Sequence, residues 1–157
     1  MGDIKIIGIA GGTGSGKSTL SRKIKEALKE SVVLICHDNY YKDSSHLPFE
    51  KRVEQNYDHP NAFDTELLIN HLKMLKDGKA IDMPTYSFVE HARNKETVHI
   101  EPAKVIIVEG ILIFENEEFG VIVCAKTIRN CIHKRILNLT EKDMIYKKEY
   151  KEKNKEK

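Results

Sequence analysis

Cysteine is scarce in this chain of 157 residues: there are three, Cys36, Cys124 and Cys131, and no two form a C-x-x-C pair. An odd number without paired spacing argues against a disulfide framework and a cysteine zinc site, so all three are expected to be reduced and buried. No apolar run approaches the roughly 20 residues that a membrane-spanning helix needs. No leader is visible either, because Met1 runs almost directly into an apolar strand signal, and the expectation is a cytoplasmic protein. An excess of one charge is also missing, with 26 Lys and Arg against 24 Asp and Glu for a formal net charge of +2. Residues 141–157 alone hold seven Lys and five acidic side chains, so the remainder is balanced, which argues against a broad basic face for nucleic acid. At 40% hydrophobic and 32% charged residues, the composition suits one soluble domain with a real core.

What is present is more telling. Gly11-Gly12-Thr13-Gly14-Ser15-Gly16-Lys17-Ser18 meets the G-x-x-x-x-G-K-[ST] phosphate-loop pattern in full. Closely spaced glycines let backbone N–H groups turn inward around phosphate oxygens. Lys17 can reach the β- and γ-phosphates, the Ser18 hydroxyl can ligate Mg²⁺, and a helix starting near Gly16 turns its positive end to the same charge. Gly11, Gly12, Thr13, Gly14, Ser15, Gly16, Lys17, Ser18 and Thr19 are therefore the expected nucleotide-binding set. The flanks agree: Ile4-Lys5-Ile6-Ile7-Gly8-Ile9-Ala10 reads as a buried strand, and residues 18–29 as a helix with Leu20, Ile24, Ala27 and Leu28 on its apolar face.

Two further apolar runs, Val32-Val33-Leu34-Ile35-Cys36 and Val105-Ile106-Ile107-Val108, read as strands covered on both faces. With the first they predict an α/β fold with a central parallel sheet flanked by helices. Between them, residues 64–77 carry Leu67, Leu68, Leu72 and Leu75 at helical spacing, and Gly78 is placed to stop that helix. Residues 81–89 and 96–100 then read as an inserted β-hairpin, turning around Ala92-Arg93-Asn94-Lys95. Further on, residues 121–125 suggest a fourth strand and 128–139 a helix, while the tail from Glu141 has no apolar face and is expected to be frayed helix or disordered. One domain is expected over residues 1–140, followed by that tail.

In a parallel sheet every strand's carboxyl end lies on one edge, so Asp38 and Glu109 should converge on the phosphate loop. Two acids beside phosphates require a bridging cation, which implies Mg²⁺. Glu109 suits a metal-bound water, and Asp38 either accepts a proton from an attacking hydroxyl or helps seat the metal. Taken singly, each also reads as a solvated loop acid or a helix cap.

Beyond the loop, the chain carries His37-Asp38-Asn39-Tyr40-Tyr41-Lys42-Asp43, Asn56-Tyr57-Asp58-His59-Pro60-Asn61-Ala62-Phe63-Asp64, Pro84-Thr85-Tyr86-Ser87-Phe88 with His91 and Arg93, and Val108-Glu109-Gly110-Ile111-Leu112. In order and spacing this set resembles the uridine/cytidine kinase family over residues 4–115. The resemblance implies a phosphate-loop nucleoside kinase that transfers the γ-phosphoryl of ATP or GTP, with Mg²⁺, to the 5′-hydroxyl of uridine or cytidine in pyrimidine salvage. It implies Asp38 and Lys17 as catalytic residues, Tyr41, Asp58, Tyr86, His91 and Arg93 around the nucleoside, and Ser18, Asp38 and Glu109 toward the metal. Charge balance and short apolar runs already speak against nucleic-acid and membrane partners, and the resemblance leaves a homo-oligomer open, the family being commonly tetrameric.

Members of that family continue with an arginine-rich lid, whereas after Glu109 this chain has only Arg129 and Arg135, and the pattern is incomplete after about residue 115. Two alternatives follow: a shortened, catalytically impaired nucleotide-binding remnant, or a related phosphotransferase of the phosphoribulokinase or pantothenate kinase kind.

Overall fold

The computed structural model describes residues 4–122, which fall within one compact unit, Met1–Cys124. Strand β1 (Lys5–Ala10) runs into the glycine loop and then helix α1 (Lys17–Leu28). Strand β2 (Val32–Cys36) follows and ends in a single tight turn of helix, His37–Tyr40. A short helix α2 (Phe49–Val53) and a second tight turn, Pro60–Ala62, lead to helix α3 (Thr65–Lys76). Strands β3 (Ile81–Ser87) and β4 (Ala92–Ile100) form an antiparallel ribbon, after which β5 (Val105–Gly110) returns to the main sheet and α4 (Glu117–Ile122) follows.

The main sheet has the order β1-β5-β2, all parallel. The strand-helix-strand reading of β1 and β2 is right in direction, but the two are not neighbours: β5 enters between them. Residues 106–110 of β5 are all buried, as continuous apolarity predicts for a strand flanked on both edges and both faces. The core is built from Ile6, Ile35, Ile106 and Val108 of the sheet with Leu68, Leu72 and Leu75 of α3 and Ile81 and Met83 of the ribbon. Burying each such side chain contributes roughly 1.5–3 kcal/mol, set against the entropy of ordering the chain.

Helix α3 agrees with its sequence signals. The Asp64 side chain accepts from the Leu67 N–H at 3.2 Å, capping the first turn, and Gly78 takes the left-handed conformation (φ 77°) just past the end. Leu68, Ile69, Leu72 and Leu75 are buried and Leu67 is half-buried.

Helix α1 departs from expectation. Its buried face is Ser21 and Ile24 with Leu20 half-buried, while Ala27 and Leu28 are exposed. Ser21 can be buried because its hydroxyl is satisfied by the Lys17 carbonyl at 2.9 Å, which rotates the packed stripe away from the last turn. The ribbon turn also moves. Ser87 pairs with Ala92, so the chain reverses over residues 88–91, and Ala92, Arg93, Asn94 and Lys95 belong to β4. Arg93 causes the shift, since its guanidinium is drawn inward to Asp64 and to the Tyr40 and Tyr41 carbonyls. Finally, Val121 and Ile122 lie in α4 rather than in a fourth strand, because Asn116 caps that helix at the Phe119 N–H. The remainder of that expected strand, the helix over 128–139, the charged tail and the domain end at residue 140 lie outside the described residues.

Among the described residues, no helix is long and apolar enough to cross a membrane.

Candidate active site

The glycine loop is fixed at both ends. Gly11 N–H donates to the Gly110 carbonyl (3.3 Å) and Ser15 N–H to the Gly12 carbonyl (3.2 Å), after which α1 begins. Gly14 and Gly16 are left-handed (φ 76° and 85°), a conformation costing other residues roughly 1–2 kcal/mol. Gly12 is neither left-handed nor crowded, since a Cβ there would meet nothing within 4 Å. The protein's own packing does not explain that glycine, whereas close approach of a polyphosphate to the backbone does. The first amides of α1 have no partner one turn back and complete an anion cradle.

Opposite the loop, the Ser18 hydroxyl lies 3.0 Å from each Glu109 carboxylate oxygen, so its single proton is shared between them. Glu109 is buried at the tip of β5, in register with Cys36 of β2. The Cys36 thiol donates to Glu109 Oε1 at 3.5 Å. Burial, and then the charges of Asp38 and Glu109, push that thiol up to about 12, so it stays protonated. Asp38 stands on the turn after β2. Burial raises its carboxyl above the ordinary range, Lys17 pulls it back, and Glu109 raises it further. Phosphate loop, Lys17, Ser18, Asp38 and Glu109 are thus one electrostatic site, as expected.

No group of three or more His, Cys, Asp or Glu side chains is placed to hold a metal among the described residues. Mg²⁺ keeps several waters and takes one or two protein oxygens together with substrate phosphates. Ser18, Asp38 and Glu109 offer only hard oxygen donors, and they face the loop where those phosphates would lie.

Beyond Asp38 is an aromatic cluster. Tyr41, Phe63 and Tyr86 form a buried cluster with Tyr57 against it. Tyr41 stacks on Phe63 with centroids 4.2 Å apart and lies 5.1 Å from Tyr86. Burial, followed by the charges of Asp38 and Asp58, raises the Tyr41 hydroxyl well above its ordinary range, which puts both acids in its field. The Tyr86 hydroxyl is buried beside the Tyr57 and Ser44 hydroxyls. Those two donate to the carbonyls of Arg52 and His91, which leaves their oxygens open as acceptors for it. His91 sits in the ribbon turn with positive φ (49°), its ring 5.5 Å from that of Tyr57.

Arg93 differs from the others. Its Nε donates to the Tyr41 carbonyl (2.7 Å), and Nη2 meets Asp64 Oδ2 (3.1 Å) and the Tyr40 carbonyl (3.4 Å). Those donors tie the Tyr40–Tyr41 backbone to Asp64 at the start of α3.

Sequence reasoning missed Cys36, Tyr57 and Phe63 as site residues, and Cys36 is half-buried rather than buried. The parallel register offered a signal for Cys36, as the last residue of a strand whose neighbour ends at Glu109. A cavity of about 450 Å³, lined in part by His37, Phe63, Asp64, Leu112 and Asn116, includes none of the predicted site residues. It is a hollow beside the site rather than the site itself.

The profile of the "Phosphoribulokinase / Uridine kinase family" matches residues 6–152. A uridine kinase of Staphylococcus haemolyticus is 48% identical over 145 residues, covering 92% of this chain and 66% of that protein. The uridine kinase of Clostridium novyi is 55% identical over 114 residues, covering 72% of this chain and 55% of its own length. That of Cronobacter sakazakii is 58% identical over 113 residues, with 69% and 53% covered. The chain therefore spans between about half and two thirds of these relatives. Among solved structures, a possible uridine kinase from Bacillus stearothermophilus superposes with a TM-score of 0.58 at 20% identity, covering 84% of this chain and 77% of that one. D-glycerate 3-kinase from Cryptococcus neoformans gives 0.52 at 22% identity, covering 72% and 44%. At these identities the two structures speak for the fold alone, a parallel sheet flanked by helices behind a phosphate loop.

Proposed function

The chain belongs to the phosphoribulokinase and uridine kinase family, and from that premise we propose that it is built to transfer the γ-phosphoryl of ATP or GTP to the 5′-hydroxyl of uridine or cytidine. One observation carries the reading: Asp38 stands on the turn His37–Tyr40, between Cys36, which bonds Glu109 beside Ser18 of the phosphate loop, and Tyr41, which stacks in the aromatic cluster. A single acid thus lies in the chain between a phosphate cradle and an aromatic cluster, where in-line transfer needs it.

In this scheme the loop amides and Lys17 hold the triphosphate. Tyr41, Tyr86 and His91 contact the base while Asp58 accepts from the ribose hydroxyls. Asp38 takes the proton of the 5′-hydroxyl, and its upward-shifted carboxyl suits that task better than an ordinary surface acid. Ser18, Asp38 and Glu109 would hold Mg²⁺, and the ion would supply charge neutralisation for the triphosphate. Arg93 contributes by fixing Tyr41.

Transfer of labelled phosphate from ATP to uridine tests the proposal. Product from the wild-type chain, lost by a factor of at least about 100 in Asp38→Asn with ATP binding intact, is the expected result. ATP bound with no product from the wild type would support nucleotide binding without turnover.

A further inference from the structure

We propose that Arg52 and Ser44 clamp the ribbon turn that carries His91 and thereby set affinity for the nucleoside, an inference that rests on reading the aromatic cluster as the acceptor site. Arg52, on α2, spends its guanidinium on three backbone carbonyls: Nε on Leu47 (2.7 Å), Nη2 on Ser45 (2.8 Å) and Nη1 on Glu90 (3.2 Å). The first two belong to the segment before α2, and the third is the residue preceding His91 in the ribbon turn. The Arg52 carbonyl in turn accepts the Tyr57 hydroxyl at 2.9 Å. One residue thereby ties the turn with its side chain and an aromatic wall with its backbone.

Ser44 adds a second stitch. It is 4% exposed, and its hydroxyl donates to the His91 carbonyl at 2.7 Å. His91 holds a left-handed backbone that a non-glycine residue keeps only when its surroundings impose it. These two side chains supply that imposition, with the His91 ring lying 5.5 Å from Tyr57 and 6.0 Å from Phe49. Released from the clamp, the turn has softer conformations available, and the nucleoside must then order it on binding. A lysine cannot substitute, since one ammonium on a flexible stem does not reproduce a planar fork reaching three separated carbonyls. Neither residue is given a contact with substrate; both are positioning residues acting through His91 and Tyr57.

Calorimetric titration of the full chain with uridine, and separately with Mg-ATP, tests this, together with the NMR signals of the His91 ring. Wild type should bind both. Arg52→Ala and Arg52→Lys should each weaken uridine about tenfold and Ser44→Ala about threefold, with Mg-ATP affinity within about twofold of wild type. In all three the His91 resonances should move before any ligand is added. A folded Arg52→Ala that binds uridine as wild type does, or that loses uridine and Mg-ATP equally, overturns the proposal. So does loss of fold in all three variants, which would make these residues general stabilisers. Wild type that binds Mg-ATP but no pyrimidine nucleoside would instead bring down the acceptor reading itself.

Discussion

A cysteine one position before the turn that carries Asp38 shows how much a single neighbour matters. Cys36 sits beside Glu109 and near Asp38, and both the loss of water and those negative charges oppose its ionisation. A shift from 9.0 to about 12 leaves roughly a thousandfold less thiolate at a given pH, so the thiol serves as a weak donor to Glu109 rather than as a nucleophile. Iodoacetamide at pH 8 should therefore label Cys36 in the native chain at least about 100-fold more slowly than in urea, read by mass spectrometry of its peptide. Equal rates would contradict the environment described. At this scale the sequence was most eloquent where chemistry demands one residue type. The phosphate loop, Lys17, Ser18, Asp38 and Glu109 all come together as expected, because strand-end placement follows from parallel topology. Arg93 was read as a substrate contact, and nothing local could reveal that its Nε and Nη2 also reach Asp64 and two carbonyls.

At the level of elements, α3 is the best-determined piece, and its cap carries a double duty. Asp64 Oδ1 receives the Leu67 N–H, while Oδ2 receives Arg93. Asp64→Ala removes a cap worth about 1 kcal/mol and leaves a largely buried guanidinium short of its charged partner, so chemical denaturation should show a loss of roughly 2–4 kcal/mol. A surface acid would cost under about 0.5 kcal/mol. Helix α3 was legible because its apolar spacing and its terminating Gly agree. The ribbon turn was misplaced because a polar run resembles a loop even when a long-range ion pair holds it in a strand. The stripe on α1 slipped for a similar reason, since a buried serine bonded to its own helix is indistinguishable in sequence from an exposed one.

For the molecule as a whole, acid is the informative perturbation. His37 is 3% exposed, stacks on Phe63 at 3.9 Å, and burial lowers its pKa from 6.5 to about 4. Between those values the unfolded chain binds the proton and the folded chain does not, so stability falls as pH drops through that window. His37 alone should account for about 2 kcal/mol of loss by pH 5. Asp38, whose carboxyl is shifted upward, acts in the opposite direction. The measurement is thus the difference in pH dependence between wild type and His37→Gln, which should flatten the slope between pH 7 and 5; an unchanged slope would show that His37 titrates normally.

The strand order also limits how the protein can move. Ala10 is in register with Gly110, and Cys36 with Glu109, so the phosphate loop and the turn that carries Asp38 both leave strands zipped to one shared central strand. Prising them apart would break two main-chain ladders. Motion about the site is therefore cheapest in the pieces resting on top, while the weave beneath keeps loop and turn at a set spacing.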